Sequence, residues 1–294
     1  MFGDRPRKGW KTMDIFDERK IRIEDAVLAL DLDGTLVTND KRVTEEAAAA
    51  VARFIDLGGT VVLASGRPAF GIRPVAERLQ LGTRGGYVLG FNGGILLDYK
   101  ADRELFSQTF KPGKLEVLCA QALENKVNLL TYRDGYVYAH DPEETYCQLE
   151  LSITRMSVIP SNPLTKKVNF PVIKCLMTAP GEHLAQVEKK MAKYWEGKLN
   201  IVRSEPYFLE ITELGINKGR SLLRLVEMIG KKPADLIACG DAFNDISMLQ
   251  AAGIGVAMGN AQPLVKEAAD FVTLTNEENG VVKVIERLTE AALA

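Results

Sequence analysis

Apolar positions follow two rhythms along this chain. In the first, short continuous apolar runs alternate with amphipathic stretches of helical period. Ala26–Leu30 is such a run, the mark of a parallel strand covered on both faces, and it stops at Asp31-Leu32-Asp33-Gly34-Thr35. A helix is predicted from Thr44, an N-cap followed by Glu45 and Glu46 in the electropositive first turn, to the stop at Gly58-Gly59. Thr60–Ala64 predicts a second buried strand ending in Ser65-Gly66-Arg67-Pro68. The next helix, 69–79, contains Pro74, which should kink it or delay its start. Tyr87–Phe91 predicts a third strand, and Asn92-Gly93-Gly94 a turn from which Ile95–Leu97 returns.

The same rhythm resumes near the end. Helices are predicted over 218–229, 246–252, 263–269 and 281–293, with strands over 236–240, 254–258 and 271–274. Alternation of this kind implies an α/β fold: a Rossmann-like parallel-sheet core with helices on both faces.

Between these halves the pattern changes. Tyr132-Arg133-Asp134-Gly135-Tyr136-Val137-Tyr138 alternates like a half-exposed hairpin with an Asp-Gly turn. Two amphipathic helices (114–124 and 182–195) and further strands (172–178 and 207–212) complete an inserted α+β cap domain. The expected division is an N-terminal extension at 1–21, a core from 22–101 and 213–294, and a cap at 102–212.

Composition narrows the chemistry. The 294 residues carry a formal net charge of −2, so nothing draws the chain to nucleic acid or an anionic membrane, and a phosphate ligand must be met by a local site. No apolar run has the length of a membrane span, and residues 1–22 lack the apolar segment of a secretory signal. Four scattered cysteines, without a C-x-x-C pair, read as reduced thiols of a cytoplasmic protein. Two histidines leave little material for a histidine-rich metal site or a Ser-His-Asp triad.

Three polar clusters end predicted core strands: Asp31/Asp33, Ser65 and Asp241/Asp245. Ligands bind at strand carboxyl ends in open α/β sheets. Asp31 and Asp33, two apart in extended chain, project to one side. One carboxylate would attack phosphorus while the other protonates the leaving oxygen and later activates water. The acids of Gly240-Asp241-Ala242-Phe243-Asn244-Asp245 would repel one another without a cation, and oxygen ligands favour Mg²⁺. Ser65 and Gly66 offer a hydroxyl and backbone N–H groups to a phosphate, and Lys218 supplies a cation.

In order, Asp31-x-Asp33-Gly34-Thr35, Ser65-Gly66-Arg67, Lys218-Gly219 and Gly240-Asp241-x-x-Asn244-Asp245 match the four motifs of the haloacid dehalogenase-like hydrolases. The chain most resembles the Cof-type branch, whose cap lies between the second and third motifs; the resemblance runs from about Ala26 to Ala294. It implies that Asp31 is nucleophile and Mg²⁺ ligand, and that Asp33 is general acid/base and binds Mg²⁺ through its carbonyl. It implies that Ser65, Gly66, Lys218 and Asn244 hold the phosphoryl group, that Asp241 binds Mg²⁺, and that Asp245 supports the metal shell.

The expected enzyme is an Mg²⁺-dependent phosphatase of small phosphorylated metabolites, such as sugar phosphates, pyridoxal phosphate or flavin mononucleotide. It would need no nucleic acid, membrane or obligate protein partner. A phosphomutase or phosphotransferase would share the aspartyl-phosphate. A receiver domain would share the strand-end aspartate and the lysine, but not Asp33 or a large insertion; a P-loop nucleotidase lacks its motif here. Tyr132, Tyr136, Tyr138, His140 and Arg155 are candidate cap contacts to the leaving group, or else pack the cap's own sheet.

Overall fold

The structure, a computed structural model, describes Phe16 and residues 21–293. The expected extension at 1–21 therefore lies outside the described residues, apart from Ile21 and from Phe16, which is buried edge-on against Phe271. The chain forms two compact units. One comprises Met1–Ser65, Ile72–Leu105 and Asn217–Ala294; the other comprises Gly66–Gly71 and Phe106–Ile216.

The first unit is built on an eight-stranded sheet. In chain order its strands are β1 (Val27–Leu30), β2 (Thr60–Ala64), β3 (Tyr87–Gly90), β4 (Ile95–Asp98), β5 (Arg103–Ser107), β12 (Leu236–Gly240), β13 (Ile254–Ala257) and β14 (Phe271–Val272). Their spatial order is β14-β13-β12-β1-β2-β3-β4-β5. From β14 to β3 every pairing is parallel; β4 runs back antiparallel to β3 after the Asn92–Gly94 turn. Every residue of β1 and β12 is fully buried, which is why both read as unbroken apolar runs. Parallel neighbours need crossovers, supplied by helices such as Glu45–Asp56, Lys218–Met228 and Ile246–Ala251. Thr44 caps the first of these, its hydroxyl accepting from the Ala47 N–H at 3.0 Å.

Strand order reverses between β1 and β12: the chain after β1 steps one way, through β2 and β3, and after β12 the other, through β13 and β14. The crevice at the carboxyl ends of these two strands is the site such a sheet offers a ligand. Asp31 follows β1 directly and Asp241 follows β12 directly.

Of the two effects expected of Pro74, a kink or a delayed start, the delayed start is absent: the helix runs from Ala69 to Arg78 with Pro74 inside it. The first turn closes without help from Pro74, the Gly71 N–H donating to the Pro68 carbonyl at 2.9 Å.

In the second unit a six-stranded sheet runs β10-β11-β9-β6-β7-β8. Its strands are β6 (Asn128–Arg133), β7 (Tyr136–Ala139), β8 (Ser157–Pro160), β9 (Lys174–Thr178), β10 (Leu199–Glu205) and β11 (Phe208–Glu213). Asp134 and Gly135 both have positive φ, 49° and 83°, so β6 and β7 meet through the two-residue turn that their sequence predicts. One face of this sheet packs on helices Lys114–Glu124 and Gly181–Tyr194 through Leu118, Leu129, Cys175, Met177, Leu184 and Val187. All four cysteines are buried free thiols.

Candidate active site

Asp31 ends β1 with its N–H bonded to the Cys239 carbonyl at 3.0 Å, which fixes it beside β12. Lys218, the first residue of its helix, is wholly buried and lies between two carboxylates. Its Nζ donates to Asp31 Oδ1 and to Asp245 Oδ1, both at 2.6 Å. Asp245 is also wholly buried, and its Oδ2 accepts from the Asp241 and Ala242 N–H groups at 2.9 Å each. Both oxygens of Asp245 are thus committed. It pins Lys218 on one side and the Asp241 loop on the other.

Asp241 Oδ1 accepts from the Thr35 hydroxyl at 2.8 Å. A carboxylate oxygen from each of Asp31, Asp241 and Asp245 falls within 4.8 Å of the others. The Lys218 and Thr35 bonds leave Oδ2 of Asp31 and Oδ2 of Asp241 as the oxygens turned to other partners. Gly34 makes this arrangement possible: its φ is +81°, and a Cβ there would stand 2.4 Å from Asp241 Oδ2.

Three carboxylates therefore share one ammonium. Burial pushes the Asp31 carboxyl up to about 8, repulsion from Asp245 adds to this, and Lys218 opposes it. Burial also raises Asp241, to about 6, against the Thr35 hydrogen bond and with repulsion from Asp245. Burial pulls Lys218 down, but Asp245 and Asp31 outweigh it and hold the group as an ammonium. The cluster is short of positive charge. Its donors are hard oxygens, which suit Mg²⁺, and a cation there would let Asp31 and Asp241 ionise at neutral pH.

Ser65 is buried at the end of β2, and its carbonyl accepts from the Asn92 N–H at 3.0 Å. Asn92, at φ 56°, takes the Asn244 amide onto its Oδ1 at 2.9 Å. Ser65, Asn92 and Asn244 so form one linked set. Gly66, next in the chain, belongs to the second unit. Asp33 stands outside the buried cluster: its Oδ1 accepts from Lys41 Nζ at 2.7 Å, Lys41 being exposed and Asp33 half-buried. The structure thus joins Asp31, Lys218, Asp241 and Asp245 directly, and Ser65 to Asn244 through Asn92.

Thr35, Asn92 and Lys41 are partners that the sequence reading leaves without a role. Thr35 sits inside the first motif, so its place beside an aspartate was the one signal available. Among the candidate cap contacts, Tyr132 is buried with its hydroxyl donating to Glu150 Oε1 at 2.8 Å. His140 is buried and accepts from the Leu164 N–H through Nε2 at 3.0 Å. Tyr138 packs edge-on to Phe170, and Arg155 closes its helix with φ 54°. Tyr136 is exposed.

A family model for haloacid dehalogenase-like hydrolases matches residues 28–285. The pyridoxal phosphate phosphatase YbhA of Escherichia coli is 32% identical over 270 residues, 88% of this chain and 97% of that protein. The 5-amino-6-(5-phospho-D-ribitylamino)uracil phosphatase YcsE of Bacillus subtilis is 29% identical over 264 residues, 90% of this chain and 95% of that protein. Among solved structures, a haloacid dehalogenase-like hydrolase from Bacteroides thetaiotaomicron superposes with a TM-score of 0.86 at 38% identity. That likeness covers 90% of this chain and 99% of the other.

Proposed function

Because this chain belongs to the haloacid dehalogenase-like hydrolase family, we propose that it is an Mg²⁺-dependent phosphatase of small phosphomonoesters, working through an aspartyl-phosphate on Asp31. The observation that carries this reading is the asymmetric use of Asp31: Lys218 holds Oδ1, and Oδ2 is left to attack.

Asp31, Asp241 and the Asp33 carbonyl would hold the Mg²⁺, with Asp245 fixing the Asp241 loop behind them. When bound, the ion supplies the positive charge that the cluster lacks and offsets the negative charge of the phosphate. Lys218 keeps Asp31 aligned and shares the charge that moves during transfer. Asp31 Oδ2 bonds to phosphorus as the bond from phosphorus to the leaving oxygen breaks, and Asp33 gives that oxygen a proton. Asp33 then takes a proton from water as the water oxygen attacks phosphorus, which frees phosphate and restores Asp31. Ser65 and Asn244, linked through Asn92, would hold the non-transferring oxygens.

The relatives act, by name, on pyridoxal phosphate and on a ribityl phosphate, and the substrate here is of that broad kind, a sugar phosphate or similar metabolite monoester. The test is phosphate release from a metabolite panel with Mg²⁺ present. Release from one or more monoesters, abolished in Asp31→Asn, is expected. Transfer of phosphate to an acceptor without release would overturn hydrolysis in favour of a mutase.

A further inference from the structure

Thr35 is buried, and its hydroxyl donates to Asp241 Oδ1 at 2.8 Å across 206 positions of sequence. The turn that delivers this hydroxyl is anchored from within. The Thr35 and Val37 N–H groups donate to the Leu32 carbonyl at 3.2 and 3.0 Å, and the Leu36 N–H to the Asp31 carbonyl at 3.3 Å. Two asparagines distant in sequence hold it from outside. Asn260 donates through Nδ2 to the Gly34 carbonyl, the oxygen of the Gly34–Thr35 peptide, at 2.8 Å. Asn276, buried, donates through Nδ2 to the Val37 carbonyl at 3.1 Å, and its N–H donates to Asn260 Oδ1 at 3.1 Å. Thr35 thus stands on backbone held both before and after it.

Asp241 has a fixed backbone too. Its N–H donates to Asp245 Oδ2 at 2.9 Å, and its carbonyl accepts from the Gln262 N–H at 3.3 Å. Neither bond sets the side chain, which turns about two torsions of its own. Among the described residues, the Thr35 hydroxyl is the one hydrogen-bond donor to the Asp241 carboxylate. It claims Oδ1. The other oxygen, Oδ2, lies against Gly34, where a Cβ would stand 2.4 Å from it, so glycine leaves that oxygen its room.

We infer that Thr35 is a positioning residue for Asp241 and a determinant of which cation the site prefers: its hydroxyl holds Oδ1, so that Oδ2 alone is offered to the ion. The inference rests on the proposed role of Asp241 as an Mg²⁺ ligand. Groups that orient a metal ligand from behind contribute about 10–100-fold to metal affinity. Mg²⁺ is small and demands near-octahedral geometry at about 2.0–2.1 Å, which a single well-aimed oxygen satisfies. Ca²⁺ takes about 6–8 ligands at about 2.3–2.6 Å and accepts a carboxylate through one oxygen or both. Freeing Oδ1 therefore costs Mg²⁺ an aimed ligand and offers Ca²⁺ a second one.

A merely structural role would weaken both ions alike, so the preference between them is the reading that matters. The experiment titrates the metal-free protein with Mg²⁺ and, separately, with Ca²⁺ by calorimetry, without substrate. Thr35→Val has nearly the same shape and no hydroxyl. Its Mg²⁺ affinity is expected to fall about 10-fold or more and its Ca²⁺ affinity less than about 3-fold, so that the preference for Mg²⁺ narrows. Thr35→Ser restores the donor and should stay within about 3-fold of the unaltered protein for both ions. Melting in EDTA reports whether the variants fold; Thr35→Ala, which also lacks the hydroxyl, takes the place of Thr35→Val if that variant does not. Equal losses for the two ions, an unchanged Mg²⁺ affinity, or the same loss in Thr35→Ser overturns the role of Thr35. Asp241→Asn, run alongside, tests the underlying reading. If its Mg²⁺ affinity is unchanged, Asp241 is not a ligand, and the metal assignment fails together with the role of Thr35. Loss in Asp241→Asn with none in Thr35→Val removes the role of Thr35 alone.

Discussion

Each unit of this protein buries a lysine among acids, and the two clusters differ in one respect. In the second unit, Lys174 pairs with Glu210 at 2.8 Å and lies 5.9 Å from the Tyr132 ring, while Tyr132 donates to Glu150. Burial raises the Glu150 carboxyl toward its neutral acid, with Lys174 and the Tyr132 hydrogen bond opposing. One ammonium thus faces Glu210, with which it pairs, and a Glu150 carboxyl drawn toward neutrality. Around Lys218, three carboxylates share one ammonium, and two of them keep an oxygen turned elsewhere. The first cluster closes on itself and holds β6, β9 and β11 to the helix Thr145–Thr154. The second is left open and negative, which makes it the candidate site for a cation.

The largest effect that tests this contrast is Asp31→Asn. An amide cannot form the acyl phosphate, so turnover of a folded variant should drop by at least about 10³-fold, as expected for loss of a positioned nucleophile. Near-native phosphate release would break the contrast at its root. Asp33→Asn should cost about 10²–10⁴-fold on a sugar phosphate, the usual contribution of a general acid, and less on p-nitrophenyl phosphate; steady-state kinetics on both substrates reads this out.

Lys174→Met addresses the closed cluster. Removing one partner from a buried pair should lower unfolding free energy by about 3–5 kcal/mol, and adding Glu210→Met should recover most of it. Denaturant midpoints of the single and double variants measure the recovery; none would mean that Lys174 does more than balance Glu210. The smallest effect is a pH dependence. Asp31 is raised from 3.8 to about 8 and Asp241 from 3.8 to about 6, so the folded state holds protons that the unfolded chain has released. Their contribution to stability is complete below about pH 4 and is lost as pH rises, through about 6 for Asp241 and about 8 for Asp31. In EDTA the melting temperature should therefore fall across that window, and Mg²⁺ should raise it more at pH 8 than at pH 5. Equal Mg²⁺ effects at both values would mean that the acids do not bind the ion.

Much of the first unit is legible because its strands are buried on both faces and stop abruptly at acids. β1, β2 and β12 appear in the sequence as apolar runs with the bounds that the structure gives them or within a residue of those. In the second unit, the Asp134-Gly135 turn and the helix Lys114–Glu124 are equally plain, but three elements give little signal. The helix Thr145–Thr154 is rich in β-branched and aromatic residues, and it is capped by Glu144, whose carboxylate accepts from the Cys147 N–H at 2.8 Å. β8 is a four-residue edge strand ending in Pro160, and β10 is an edge strand whose exposed residues follow no clear alternation. The site divides the same way. Its acids stand in motifs, whereas Asn92, Asn260 and Asn276 are polar loop residues whose value depends on partners 152, 226 and 239 positions away.

β1 lies between β2 and β12, and some 200 residues of chain separate it from the second of these. A ribosome delivers this polypeptide from the N-terminus. When β1 and β2 have emerged, Leu28 and Leu30 have one flank without a neighbour, and Asp31 has no Lys218 to meet. Contacts so distant in sequence are slow to form and leave apolar edges open meanwhile. The inserted unit, contiguous from Phe106 to Ile216 apart from one short segment, emerges whole before β12 exists. A truncated product ending before Leu236 would therefore carry Asp31 but neither Asp241 nor Asp245, and the acidic cluster can assemble only when translation is nearly complete.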